Sequence, residues 1–154
     1  MIQFEELFVK AKGQPIVVAG ITYCMMIRMN VASGDVLHIL IDKLIQHPKQ
    51  GIRFDSDKPI VVNGKIDNAH SCWLAVAPSE LVVECPKECC LVIRNIWDNG
   101  DGVEQSWHAG GAMTETEVDG CKYVKCNSTL ENDAMSDLVF RVYRISSQAL
   151  TSRK

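Results

Sequence analysis

Residues 80–100 read Glu80-Leu-Val-Val-Glu-Cys-Pro-Lys-Glu-Cys-Cys-Leu-Val-Ile-Arg-Asn-Ile-Trp-Asp-Asn-Gly100. Two apolar runs, Leu81 to Cys85 and Cys89 to Trp97, flank a polar interruption, Pro86-Lys87-Glu88. Each run is too short for a typical helix and rich in β-branched residues, which pack well on a pleated surface. A connection of this length suits a β-hairpin. The stretch therefore predicts a hairpin at the middle of a sheet that the rest of the chain covers.

Outward from it the pattern stays extended. Asp98-Asn99-Gly100-Asp101-Gly102 is the strongest turn signal in the chain. After it Val103 to His108 alternates as a strand, and Gly110-Gly111 breaks it. Glu117 to Cys126 offers a turn and a further strand. Residues 127–136 are polar, with room for a short helical turn, and Leu138 to Ile145 alternates as a late strand. Upstream, Ser71 to Val76 reads as a strand and Asp67-Asn68-Ala69-His70 as a loop. Asn63-Gly64 suits the positive φ values of a type I′ hairpin turn. Lys49-Gln50-Gly51 and Asp55-Ser56-Asp57 read as turns around a short strand at Ile52-Arg53-Phe54.

The N-terminal third differs. Phe4, Leu7, Phe8 and Ala11 recur at helical spacing, with Glu6 and Lys10 as an i,i+4 pair. From Pro15 to Val31 the β-branched content favours strand, with Gly20 splitting or kinking it. A buried helix over Ile21 to Val31 is the competing reading. From Asp35 to Gln46 the polar residues Asp35, His38, Asp42, Lys43 and Gln46 gather on one side of a helical wheel, Ile39 being the exception. Helix is therefore preferred to strand there, ending at Pro48. The fold class that follows is α+β to mainly β. One domain over residues 1–145 forms antiparallel, sandwich-like sheets with one or two N-terminal helices, and residues 146–154 form a polar tail.

The 154 residues are 47% apolar with a formal net charge of −3, enough for an ordinary core and without a block of Lys and Arg to track a phosphate backbone. No apolar run reaches the ~20 residues of a membrane-spanning helix. Met1-Ile2-Gln3-Phe4-Glu5-Glu6 lacks a basic leader, which points to a cytoplasmic protein, secretion requiring a signal already removed. The seven cysteines then read as reduced thiols, with the odd number excluding complete internal pairing. Asn127-Ser128-Thr129 matches the glycosylation acceptor pattern.

Four candidate chemistries stand in the sequence. His70-Ser71-Cys72-Trp73 with a distant His108 supplies a thiol, an aromatic and a base: Cys72 as nucleophile and His108 as general base of a cysteine-dependent hydrolase. Over about four residues this resembles papain-like proteases, in which the cysteine opens a long helix; here Pro78 follows within six residues. Cys85, Cys89, Cys90, Cys121 and Cys126, spaced Cys-x3-Cys-Cys and Cys-x4-Cys, raise a zinc-stabilised domain, although the second spacing sits at the edge of the knuckle range. The Asp98–Gly102 turn with Glu104 offers oxygen ligands for calcium, but the EF-hand glutamate position falls at Ala109. Ser106-Trp107-His108 beside glycines suits the wall of a small-ligand pocket.

The preferred reading is a non-enzymatic binding or interaction domain, without cofactor. It contacts a protein or small ligand through loops at one end of the sheets, at Asn99, Asp101, Trp107 and His108. An open strand edge would allow a homo-oligomer.

Overall fold

The structure is a computed structural model and describes residues 1–146. One short helix, α1 (Phe4–Lys10), precedes eleven strands. These are β1 (Ile16–Val18), β2 (Ile21–Tyr23), β3 (Ile27–Val31), β4 (Val36–Leu44), β5 (Lys49–Val62) and β6 (Lys65–Trp73), then β7 (Ser79–Glu84), β8 (Cys89–Asp98), β9 (Ala112–Val118), β10 (Cys121–Asn127) and β11 (Leu138–Ile145). The sheets are antiparallel and form a near-closed, barrel-like sandwich with a single N-terminal helix, as the sequence predicts. No helix among the described residues is long and apolar enough to cross a membrane.

Strand order is β3-β8-β5-β7-β4-β11-β10-β9, with β6 on β5. The fold turns on β5. Its first part, Lys49 to Ser56, pairs with β8, while Val61 and Val62 pair with β7. Between them the ladder to β6 is irregular, from Asp55 to Ile60. A bulge of this kind bends and twists a strand, so one long strand passes from one layer into the other. His70 fills the irregularity. Its buried Nε2 lies 3.1 Å from the Ile60 carbonyl and 3.0 Å from that of Asp67, so Nε2 carries the proton and donates. The Asn63-Gly64 turn is as predicted, with φ of 50° and 78° joining Val62 to Lys65.

The predicted hairpin of residues 81–97 does not form. β7 pairs with β4 and β5, and β8 with β3 and β5. Cys85 turns its main chain to the β3–β4 connection instead: Cys85 N donates to Asp35 O at 3.0 Å, and Gly34 N to Cys85 O at 2.7 Å. Leu81 and Val83 on β7 and Leu91 and Ile93 on β8 then belong to one core, meeting across it and not along a shared edge.

The helix preferred for residues 35–46 is also corrected: this is β4. Leu37, Ile39 and Ile41 alternate into the core, and Val36, His38 and Leu40 stand half-buried outside between β7 and β11. The outer face is partly covered and carries Val36 and Leu40 beside His38, so apolar residues occur on both faces and the period of two is disguised. The turns placed at 49–51 and 55–57 lie inside β5, and the loop at 67–70 lies inside β6. Residues 103–108 form no strand beyond a bridge from Gln105 to Trp97. No helical turn occurs in 127–136. Strand β9 began unread, at Ala112. Of the predicted polar tail, residues 147–154 lie outside the described residues.

The main core gathers Leu37, Ile39, Ile52, Phe54, Ile93 and Phe140 with their neighbours. Each such side chain contributes roughly 1.5–3 kcal/mol on burial. A smaller core lies under α1, whose Phe4 and Phe8 share one face and meet Ile16, Tyr23, Ala112 and Met135. Glu5 and Glu6 at its start and Lys10 at its end suit the helix dipole.

Candidate binding site at the loop end

The β4–β5, β6–β7, β8–β9 and β10–β11 connections emerge at one end. The register requires it: Gly51 faces Trp73, Lys49 faces Asp98, Leu138 faces Leu44, and Asn127 faces Ala112. Between them opens a cleft of about 610 Å³, lined by His47, Lys49, Leu74, Asn99, Thr129 and Glu131, among others. At its rim the Lys49 ammonium lies 5.6 Å from the Trp73 ring centroid, within cation–π range.

Buried polar groups hold these loops to one another. The Asn127 amide, wholly buried, donates to the carbonyls of Gly110 (2.9 Å), Thr129 (3.0 Å) and Asn132 (2.8 Å). The main-chain carbonyl of Asn127 accepts from Asn95 Nδ2 at 3.1 Å. Asp137 Oδ2 takes Ser128 N at 2.9 Å and Ser128 Oγ at 2.7 Å. Gln50 Nε2 donates to Pro48 O at 2.9 Å and lies 3.4 Å from Ser128 Oγ. Such a network inside a low-dielectric end favours one arrangement, because losing a partner strands a buried dipole, although Gln50 Oε1 and Asn127 Oδ1 themselves lack a partner among the described residues. Gly110 is required there: a Cβ would stand 1.8 Å from the Thr129 carbonyl oxygen.

The long β8–β9 connection is pinned along its length. Asp98 Oδ1 accepts from Gly100 N (2.8 Å) and Gly102 N (3.1 Å), and Asp101 Oδ1 accepts from Val103 N (3.1 Å). Glu104 meets Arg53 at 3.3 Å and the Ser71 hydroxyl. Trp107 and Ala109 both adopt positive φ, 49° and 51°, which for a bulky tryptophan stores strain. The Trp107 and His108 rings stack with centroids 4.0 Å apart. His108 Nδ1 lies 3.0 Å from Glu5 Oε1, and Ala109 N donates to Glu5 Oε2 at 3.0 Å. The His108 hydrogen bond, then that of Ala109, hold the Glu5 carboxyl below its ordinary pKa.

The residues singled out from sequence therefore divide. Asn99 stands on the cleft wall. Asp101 is exposed and closes its own turn, and the pair Trp107–His108 turns toward α1. Cys72 sits half-buried on β6 opposite Ile52, beside a different depression near Lys65, Ser71 and Trp73. Burial raises its thiol pKa, which lowers the thiolate fraction a nucleophile needs. Among the described residues no hydrogen bond joins Cys72 to His108, whose Nδ1 is bonded to Glu5. No cluster of three or more His, Cys, Asp or Glu among the described residues is arranged to hold a metal ion.

Comparison with known proteins found no matching family model, no matching curated protein and no matching solved structure.

Gln50, Asn127, Ser128 and Asp137 carry the site's rigidity, and sequence reading passed over them. Asn127 was visible only as a glycosylation acceptor. A side chain with no exposure, bonded to three carbonyls, has no room for a glycan in the folded protein.

Proposed function

We propose that the protein is a non-enzymatic recognition domain whose loop-end cleft takes a polar, hydroxyl-rich small ligand. The observation that carries this reading is the buried Gln50–Ser128–Asp137 and Asn127 network. It uses buried polar groups to fix three of the four connections, β4–β5, β8–β9 and β10–β11, and a pre-formed cleft loses less entropy on binding. The lining supports the ligand class: Asp98 and Glu131 accept, Lys49 and Thr129 donate, Asn99 does both, and Leu74 with Ala75 gives an apolar patch.

The test is a panel of mono- and oligosaccharides titrated into isotope-labelled protein. Binding shifts the amides of Asn99, Gly100 and Thr129, and Asn99→Ala with Glu131→Ala weakens it about tenfold while the melting temperature stays within about 2 °C. A panel that leaves those amides unmoved at about 10 mM would falsify the reading.

A further inference from the structure

The path of strands has two ends, β3 and β9, and they do not pair with each other. The seam between them is bridged near one end by Cys24 and Met113, whose N–H and C=O groups exchange bonds of 2.8 and 2.9 Å. Toward the other end, Arg144 Nη2 reaches across to Asn30 O at 2.9 Å. Between these ties lies a slot.

The register tells which main-chain groups of β3 face it. Asn30 lies opposite Cys90. Cys90 N–H points away from β3 and donates to Asp57 Oδ1 at 2.8 Å. The Asn30 carbonyl points away from β8 and accepts from Arg144. Both facts make Asn30–Cys90 a non-hydrogen-bonded pair. In an antiparallel ladder such pairs alternate with bonded ones, so Arg28 and Asn30 both present N–H and C=O at the outer edge. Arg144 occupies one of these acceptors with a donor where a neighbouring strand would place its own.

The far wall carries charge where a closed sandwich would be apolar. Val124 and Cys126 point into the core, so Lys122 shares their face, and its partner Glu117 and the next residue inward, Glu115, do too. Lys122 Nζ is 3.3 Å from Glu115. A cleft of about 470 Å³ is lined by Arg28, Asn30, Glu117, Lys122, Val142 and Arg144. A second, of about 400 Å³, continues past Arg28 toward Cys24 and Glu115. These clefts are lined by three cations and two anions, and with Lys122 and Glu115 paired to each other Arg28 and Arg144 remain against Glu117, in a chain whose net charge is −3.

We propose that this slot receives a short extended acidic segment of a partner polypeptide, added as a strand to the outer edge of β3. Its main chain pairs with Arg28 and Asn30, Arg144 exchanging the Asn30 carbonyl for one inward carboxylate of the segment while Lys122 meets another. Strand addition takes affinity from the main chain and specificity from alternate side chains. An uncharged strand would desolvate the inward charges without pairing them, so an occupant of the opposite sign is favoured. The five residues of β3 set its length, roughly 17 Å of extended chain.

The probe is acetyl-Thr-Glu-Val-Glu-Thr-amide, titrated into the isotope-labelled full chain. The expected result is movement of the Arg28 and Asn30 amides, with affinity falling at least about tenfold in three arms. These are the Glu-to-Gln peptide, the peptide N-methylated at alternate nitrogens, and the Lys122→Gln protein. Arg28→Gln serves beside Lys122→Gln, with the same weakening expected, because the Arg28 side chain is exposed and, unlike Lys122, forms no ion pair among the described residues. The proposal is overturned if the N-methylated peptide binds as well as its parent, or if glutarate alone reproduces the shifts, which would make this a small-anion site. It is also overturned if neither amide moves by about 1 mM peptide. Shifts confined to Asn99 and Thr129 would assign the peptide to the loop-end cleft and likewise reject the slot.

Discussion

Replacing Asn127 by Ala withdraws both amide protons from three main-chain carbonyls and leaves them buried. The cost should be about 3 kcal/mol, since each orphaned buried group costs about 1–3 kcal/mol and relaxation recovers part of it. Chemical denaturation of Asn127→Ala beside Asn99→Ala checks this: the second, on an exposed residue, should move stability by less than about 0.5 kcal/mol. The cysteines give a second residue-scale test. Burial raises the thiols of Cys24 to about 11 and Cys85 to about 12, and Cys126 well above its ordinary value. In native protein near pH 7.5, iodoacetamide should leave Cys85, Cys89, Cys121 and Cys126 unmodified, because all four are buried. Cys72 should react no faster than an unactivated thiol; a rate far above that would revive its role as a nucleophile. Turn chemistry was legible residue by residue, at Asn63-Gly64 and across Asp98–Gly102, because it is local. The Asn127–Asp137 network was not, because Asn, Ser and Asp in a run look like any solvated loop until distant strands enclose them.

At the level of single elements, β4 separates two patterns that one sequence satisfied. On a helical wheel Ile39 fell among the polar residues; in the strand it is wholly buried and Leu40 is half-exposed. Ile39→Ala should therefore cost about 2–4 kcal/mol and Leu40→Ala under about 1.5 kcal/mol, by thermal or denaturant unfolding. The reverse order would restore the wheel. The helix α1 was legible from its spacing, although an extended reading around Leu7-Phe8-Val9 competed with it: one face is buried and one solvated. Its tie to the long loop depends on pH. The folded-state pKa of Glu5 is depressed, so the carboxylate's share of the contact is present above roughly pH 4.5 and is lost as pH falls through that lower folded value. The Ala109 amide shift should follow this titration, and Glu5→Gln should abolish it. The effect on total stability should be small, since Glu5 is nearly half exposed and water screens the pair.

For the whole molecule, pairing partners lie far apart in the chain: β3 with β8, β4 with β11, β5 with β8. Closing such loops precedes any gain from them, so refolding should take milliseconds to seconds, slower than helical domains of similar size. Stopped-flow fluorescence of Trp97 and its neighbours measures it. The apolar rhythm announced the strands of residues 81–97 but not their neighbours. A run of Val, Ile and Leu states that a segment is buried, while the choice between lying beside or across from the next run depends on contacts dozens of residues away. The position of Asn127 has a consequence for any cell that attaches oligosaccharides to nascent polypeptides. Its acceptor triplet is open only while the chain is unfolded, so sugar transfer and folding there would be rivals in time. A chain that lost the race would carry its glycan as a permanent bar to completing the end of the sandwich.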